Sequence, residues 1–225
     1  MVEFVVNHRG MNTRLVALED GILRVTHTLR DAFLPLESDV VVYKGKGNAC
    51  VEETAEAWRF DAGKLSVRMD KKTGALTFLN SQGETLLREP ERRPRILEET
   101  PVYRNIFDDA QVQEGKSVDG ARAWAEPIRR VKERMAYACR QNFVFDESEA
   151  LYGLGSHEEG IGNLRGHSRL LYQHNMKAVV PVLVSTKGWG ILLDMGGLMA
   201  FHDDEQGSYL WADCADELDY YFFYG

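Results

Sequence analysis

Short apolar–polar alternations, broken by glycine- and asparagine-bearing turns roughly every 8–12 residues, constrain this chain more than any other feature. Leu65, Val67 and Met69 alternate with Lys64, Ser66 and Arg68, which is the period of a strand with one buried face. Asp70-Lys71-Lys72-Thr73-Gly74 supplies a turn, and Leu76 and Phe78 resume the alternation. Asn80-Ser81-Gln82-Gly83 turns again before Thr85-Leu86-Leu87, so the three runs read as an antiparallel meander. Leu15 to Leu18, Asp20-Gly21 and Ile22 to Thr28 read as a hairpin. Val179 to Val184 is continuously apolar, as in a strand covered on both faces. Pro181 inside it cannot donate to a ladder and favours an edge. Ser185 to Gly188 turns the chain into Trp189–Leu193. Leu218 to Tyr224 is apolar or aromatic everywhere except Asp219. A strand so apolar is normally tied into further structure, so more chain is expected to follow Gly225 in the parent protein.

Amphipathic helical windows are scarce. The expected fold class is all-β: a single antiparallel β-sandwich domain over residues 1–225 with little helix. Leu65, Val67, Leu76, Phe78, Val182, Val184, Leu192, Tyr220 and Phe222 are expected in its core. Val51 to Trp58 fits a helix with Val51, Ala55 and Trp58 on one face, and equally a polar edge strand. Residues 88–130 hold four of the six prolines and read as a long connection with one short helix.

Lys plus Arg total 27 against 35 for Asp plus Glu, a net charge of −8. That balance argues against nucleic acid as a partner, because phosphate contact needs clustered cations. No apolar run approaches the ~20 residues of a membrane span. The first residues lack the basic head and apolar segment of a secretion signal, so a cytoplasmic location is expected. Cys50, Cys139 and Cys214 are odd in number and far apart, which suits neither a disulfide framework nor a zinc site. No cofactor and no metal are expected.

Gly153-Leu154-Gly155-Ser156-His157-Glu158 has glutamate where a dinucleotide loop needs its third glycine, and no amphipathic helix follows. His157-Glu158-Glu159-Gly160 has isoleucine, not histidine, at position 161 and fails as a zincin helix. No Gly-x-Ser-x-Gly elbow occurs. His202-Asp203-Asp204-Glu205 could bind a hard cation or move protons, but Gln206-Gly207-Ser208 continues it as an acidic hairpin tip. Asp213, Asp216, Glu217 and Asp219 read as a solvated acidic stretch, and Arg88 to Arg95 as a solvated loop. Tyr152 to Asn175 carries five glycines, three histidines and several amide and phenol groups suited to sugar hydroxyls.

The order of segments now resembles a known family. Leu151-Tyr152-Gly153-Leu154-Gly155 is followed by Asn163-Leu164-Arg165-Gly166 and Tyr172-Gln173-His174-Asn175. Val180-Pro181-Val182-Leu183-Val184-Ser185, Lys187-Gly188-Trp189-Gly190-Ile191-Leu192 and Leu218 to Gly225 complete the series. Together they resemble the N-terminal region of glycoside hydrolase family 31, the α-glucosidases, α-xylosidases and related transglycosylases. The resemblance implies a galactose-mutarotase-like sandwich, non-catalytic in itself. It would pack on its own catalytic (β/α)8 barrel, whose two aspartates act as nucleophile and acid/base on an α-linked glucoside or xyloside. It further implies that one sandwich loop reaches the rim of the substrate pocket, with Gln173, His174 and Asn175 as the substrate-binding candidates. That loop should face the barrel and lie on the side that carries the chain's C-terminus. Many relatives have Asn-x-Asp there, whereas Asn175 is followed by Met176-Lys177, which leaves sugar specificity open. Two other readings stand beside it: a stand-alone sugar-binding module, and an aldose epimerase of related fold built on His157 with Glu158 or Glu159. Oligomeric state is left open.

Overall fold

Alternation becomes strand almost everywhere it occurs. The computed structural model describes residues 2–108, 112–118 and 120–225; among them are nineteen strands and no helix. A seven-stranded antiparallel sheet has the order β1 (Val2–His8), β2 (Met11–Glu19), β3 (Ile22–Thr28), β19 (Leu218–Tyr224), β16 (Trp189–Leu193), β15 (Ala178–Ser185) and β13 (Leu151–Ser156). A five-stranded meander comprises β4 (Cys50–Glu53), β5 (Ala57–Asp61), β6 (Leu65–Asp70), β7 (Leu76–Asn80) and β8 (Thr85–Arg88). A second five-stranded sheet runs β14 (Ser168–Leu171), β17 (Met199–Asp204), β18 (Gly207–Ala215), β12 (Arg129–Phe143) and β9 (Arg95–Ile106). An Arg88–Val144 bridge links the edge strand β8 of the meander to the residue that follows β12. β10 (Gln113–Ser117) and β11 (Gly120–Trp124) form a separate hairpin.

The chain divides into two compact units: residues up to Glu98 with Tyr137–Gly225, and Glu99–Ala136. In the larger unit the seven-stranded sheet faces both five-stranded sheets. Phe222 stacks on Phe78 with centroids 4.1 Å apart, Phe4 on Phe60 at 6.3 Å, and Tyr220 meets Phe143 edge-on at 6.4 Å. These ring contacts between sheets carry the sandwich core.

Leu65, Val67, Leu76, Phe78, Tyr220 and Phe222 are fully buried, as their alternation requires. Val182, Val184 and Leu192 are only half-buried, contrary to expectation. Leu183, Ile191 and Leu193 point inward in their place. Val182 pairs with Leu192 and Leu183 with Ile191, so the two sets occupy opposite faces. A continuously apolar run has no polar partner positions to mark which face is inner.

Residues 88–130 are not a long connection with a helix. Most of them lie in β9, β10, β11 and the start of β12. Pro101 sits within β9, an edge strand that tolerates a missing N–H. Exposure on both sides erases the period that would have marked these strands. In the smaller unit Ile128 N–H donates to Ile106 O at 2.9 Å, and Arg130 lies 4.5 Å above the Tyr103 ring. Residues 51–58 follow the edge-strand alternative: β4 turns at Thr54, whose Oγ1 accepts the Ala57 N–H at 3.1 Å.

Two charged stretches expected in solvent are partly buried. Glu217 and Asp219 are 6% exposed, and Glu89 and Arg95, which pair with each other, 2% and 7%. Each carboxylate meets an arginine, Glu217 and Asp219 from neighbouring strands and Glu89 from six residues along the chain, which is what permits its burial.

His27 is fully enclosed, with Nδ1 2.9 Å from Thr13 Oγ1. Burial, with Arg95 nearby, pushes its imidazole well below the ordinary 6.5. The unfolded chain therefore takes up a proton below that pH that the folded chain refuses. Stability from this group is complete above pH 6.5 and falls as pH drops below it, by about 1.4 kcal/mol per pH unit. Melting curves between pH 7 and pH 5 should show this slope in the parent chain and a shallower one in His27→Gln. Equal slopes would contradict it.

Candidate functional site

The glycine-rich stretch from Tyr152 to Asn175 forms β13, a loop over residues 157–167, β14 and the turn into β15. β13 pairs with β15 through a bulge between Gly153 and Gly155. Gly153, Leu154 and Gly155 take positive φ in succession, at 110°, 63° and 90°, and Leu154 ends up buried. A methyl at Gly155 would lie 2.0 Å from Ala178 O, and one at Gly153 2.2 Å from Val182 O. Only glycine allows the two backbones to approach so closely.

Ser156 stands opposite Ala178, which brings residues 157–161 beside the 172–177 turn. Tyr172, Gln173, His174, Asn175 and Met176 are all exposed. Gln173 shapes the turn itself: its Oε1 accepts the Val179 N–H at 2.9 Å and its Nε2 donates to Lys177 O. His174 Nδ1 lies 2.8 Å from Asn175 O, so it carries the proton and leaves Nε2 open. The Tyr172 ring is 5.9 Å from the His174 ring. The Asn175 side-chain amide has no partner among the described residues. The structure thus brings the three predicted residues together on one exposed turn: Gln173 braces it, and His174 and Asn175 present unengaged polar atoms.

A charge clamp absent from the sequence reading fixes this turn. Lys177 Nζ lies 3.0 Å from Glu159 Oε1, and Arg169 Nη1 2.9 Å from Glu159 Oε2. A hydrogen bond from its own backbone amide, with Lys177 and Arg169, pulls the Glu159 carboxyl down to about 2. Arg169 is 8% exposed at an inward position of β14. An arginine in the apolar register of an alternating run demands a carboxylate, and that signal could have identified Glu159.

His157 and Glu159 do not converge. His157 Nε2 lies 2.8 Å from Leu154 O, whereas Glu159 is held by Lys177 and Arg169. The 202–205 acids do form a hairpin tip, but Asp203 is nearly buried. Burial raises the Asp203 carboxyl, and hydrogen bonds from Ser208, Gly166 and Arg165 outweigh this to leave it below the usual range. Among the described residues no group of three or more His, Cys, Asp or Glu is arranged to hold a metal ion.

The turn does not lie beside the C-terminus. Trp189 pairs with Tyr224, and Gly225 N–H donates to Gly188 O, whereas the turn enters β15 at Ala178. β15 and β16 are antiparallel, so the turn and Gly225 occupy opposite ends of the same sheet.

Residues 12–201 match the glycosyl hydrolase 31 N-terminal galactose mutarotase-like domain. Over 103 residues the chain is 33% identical to an α-xylosidase of Saccharolobus solfataricus, covering 42% of this chain and 14% of that protein. Its fold superposes on the crystal structure of a family 31 α-xylosidase from a soil metagenome complexed with xylose, with a TM-score of 0.71 and 20% identity. That match covers 99% of this chain and 31% of the other. A family 31 α-xylosidase from Xanthomonas citri gives a TM-score of 0.69 at 24% identity, covering 89% of this chain and 19% of the other. The chain thus spans less than a third of the length of each of these proteins.

Proposed function

Because the chain belongs to the glycosyl hydrolase 31 N-terminal galactose mutarotase-like domain family, we propose that it serves a retaining α-glycosidase as a non-catalytic domain. In this reading it packs on the catalytic barrel and lends the 172–177 turn to the rim of the substrate pocket. The family match over residues 12–201 carries the reading. The substrate class is α-xylosides or α-glucosides, and the relatives described as α-xylosidases favour the first.

The turn lies at the end of the sheet away from Gly225, against the expectation that it share the C-terminal side, so its assignment to the pocket rim rests on the order of the family's motifs and not on its position. The eight residues of β15 separate the turn from the Gly225 end of the sheet by roughly 25 Å.

Retaining hydrolysis needs two carboxyl groups about 5–5.5 Å apart across the sugar. Among the described residues the buried acids are engaged elsewhere: Glu89 by Arg95, Asp203 by Arg165, Glu217 by Arg14, Asp219 by Arg24, and Glu149 by the Ser185 hydroxyl, the Trp189 indole N–H at 3.1 Å and the Asp146 N–H at 2.6 Å. The purified 225-residue chain is therefore expected to show no turnover of aryl α-xylosides or α-glucosides. Turnover that disappears when one of its own carboxylates is substituted would overturn the reading.

A further inference from the structure

Four loops of the larger unit meet around a cleft of about 450 Å³ that the glycosidase reading leaves without a role. The β1–β2 hairpin tip brings Arg9, the β6–β7 turn brings Lys72, and the β8–β9 connection brings Arg92 and Arg93. Leu29, just after β3, closes one wall, and Arg95 contributes from the start of β9. Four arginine or lysine residues, beside an Arg95 whose charge Glu89 already answers, thus line the cleft against one acid, Glu91, in a chain whose net charge is −8.

Arg95 is 7% exposed and donates Nη2 to Glu89 and, at 2.8 Å, to Gly74 O, while its buried Nε has no partner. Its guanidinium is thus fixed beneath the cleft floor, its charge answered by Glu89. Arg9, Lys72, Arg92 and Arg93 make no ion pair among the described residues. Gly74 lets the walls close in, since a methyl there would meet His8 Nδ1 at 2.5 Å.

Like charges gathered in one concavity repel one another unless an anion joins them. Guanidinium groups match tetrahedral oxyanions through paired N–H donors. The volume suits a small molecule rather than a single ion alone. We propose that this cleft binds a phosphate-class oxyanion, free or carried on a sugar.

Calorimetric titration of the 225-residue chain at fixed ionic strength tests this, with inorganic phosphate, glucose 6-phosphate and glucose as probes. Saturable 1:1 binding of the phosphorylated probes is expected, with none of glucose. An Arg92→Gln/Arg93→Gln variant should bind at least about tenfold more weakly, as loss of charge-assisted hydrogen bonds implies. Its melting temperature in phosphate-free buffer should be unchanged, and Lys44→Gln, outside the cleft, should bind as the parent does. Arg9→Gln, on a different loop, provides the same readout independently. Tighter binding of glucose 6-phosphate than of phosphate identifies a sugar-borne anion, and equal binding identifies the free one. No saturable binding of either, or binding unaffected by both variants, overturns the proposal.

Discussion

Replacing Asp219 with alanine is expected to destabilise the chain by about 3–5 kcal/mol, the cost of stranding a buried charge. Asp219 accepts both oxygens' worth of contact from Arg24 Nε at 3.1 Å, Nη2 at 2.5 Å and Thr26 Oγ1 at 3.1 Å. Burial raises this carboxyl while Arg24 pulls it down. Arg24 is itself 5% exposed, and its next carboxylate, Asp194, stands 3.4 Å away. With Asp219 gone the guanidinium stays buried and under-compensated. For a domain of this size the loss corresponds to a fall in melting temperature of about 6–20 °C. Arg24→Leu/Asp194→Asn/Asp219→Leu should be less destabilised than Asp219→Ala, because removing Arg24 with both its carboxylates leaves no buried charge stranded. A triple variant weaker than the single would refute this explanation.

Gly155→Ala is expected to cost about 3 kcal/mol or more, from steric overlap and left-handed strain together. The added methyl would lie 2.0 Å from Ala178 O and 2.7 Å from Val180 N, both backbone atoms that cannot move without breaking the β13–β15 pairing. Gly160 provides the comparison: its φ is also positive, at 66°, but open space surrounds it. Gly160→Ala should cost only about 1 kcal/mol. Thermal melts of the two variants separate contact from conformation, and equal losses would contradict the close approach of β13 to β15.

These two sites mark where sequence reading succeeds and where it stops. The meander of β6, β7 and β8 is legible because each strand alternates and each turn carries its own signal. The β15 and β16 strands are legible as strands, but their unbroken apolar character conceals which face is inner, so Val182 and Val184 trade places with Leu183. The β9–β12 region escapes because both sides of those strands meet solvent. Asp219 looks like a loop acid until a strand distant in sequence brings Arg24 against it, and Glu89 until the connection after β8 folds Arg95 back onto it. For the candidate site, the order of short motifs located the 172–177 turn. The clamp through Glu159 and Arg169 depends on tertiary pairing that no local pattern announces, although an arginine at a buried register was a visible clue.

The central claim is that this turn serves a substrate pocket rather than the sandwich itself, and Asn175→Ala in the full-length enzyme tests it most directly. The Asn175 amide is exposed and unpartnered among the described residues, so its removal should leave the melting temperature nearly unchanged. Loss of one or two hydrogen bonds to substrate should lower kcat/KM by about tenfold. A lower melting temperature with normal kinetics in the folded fraction would contradict the account.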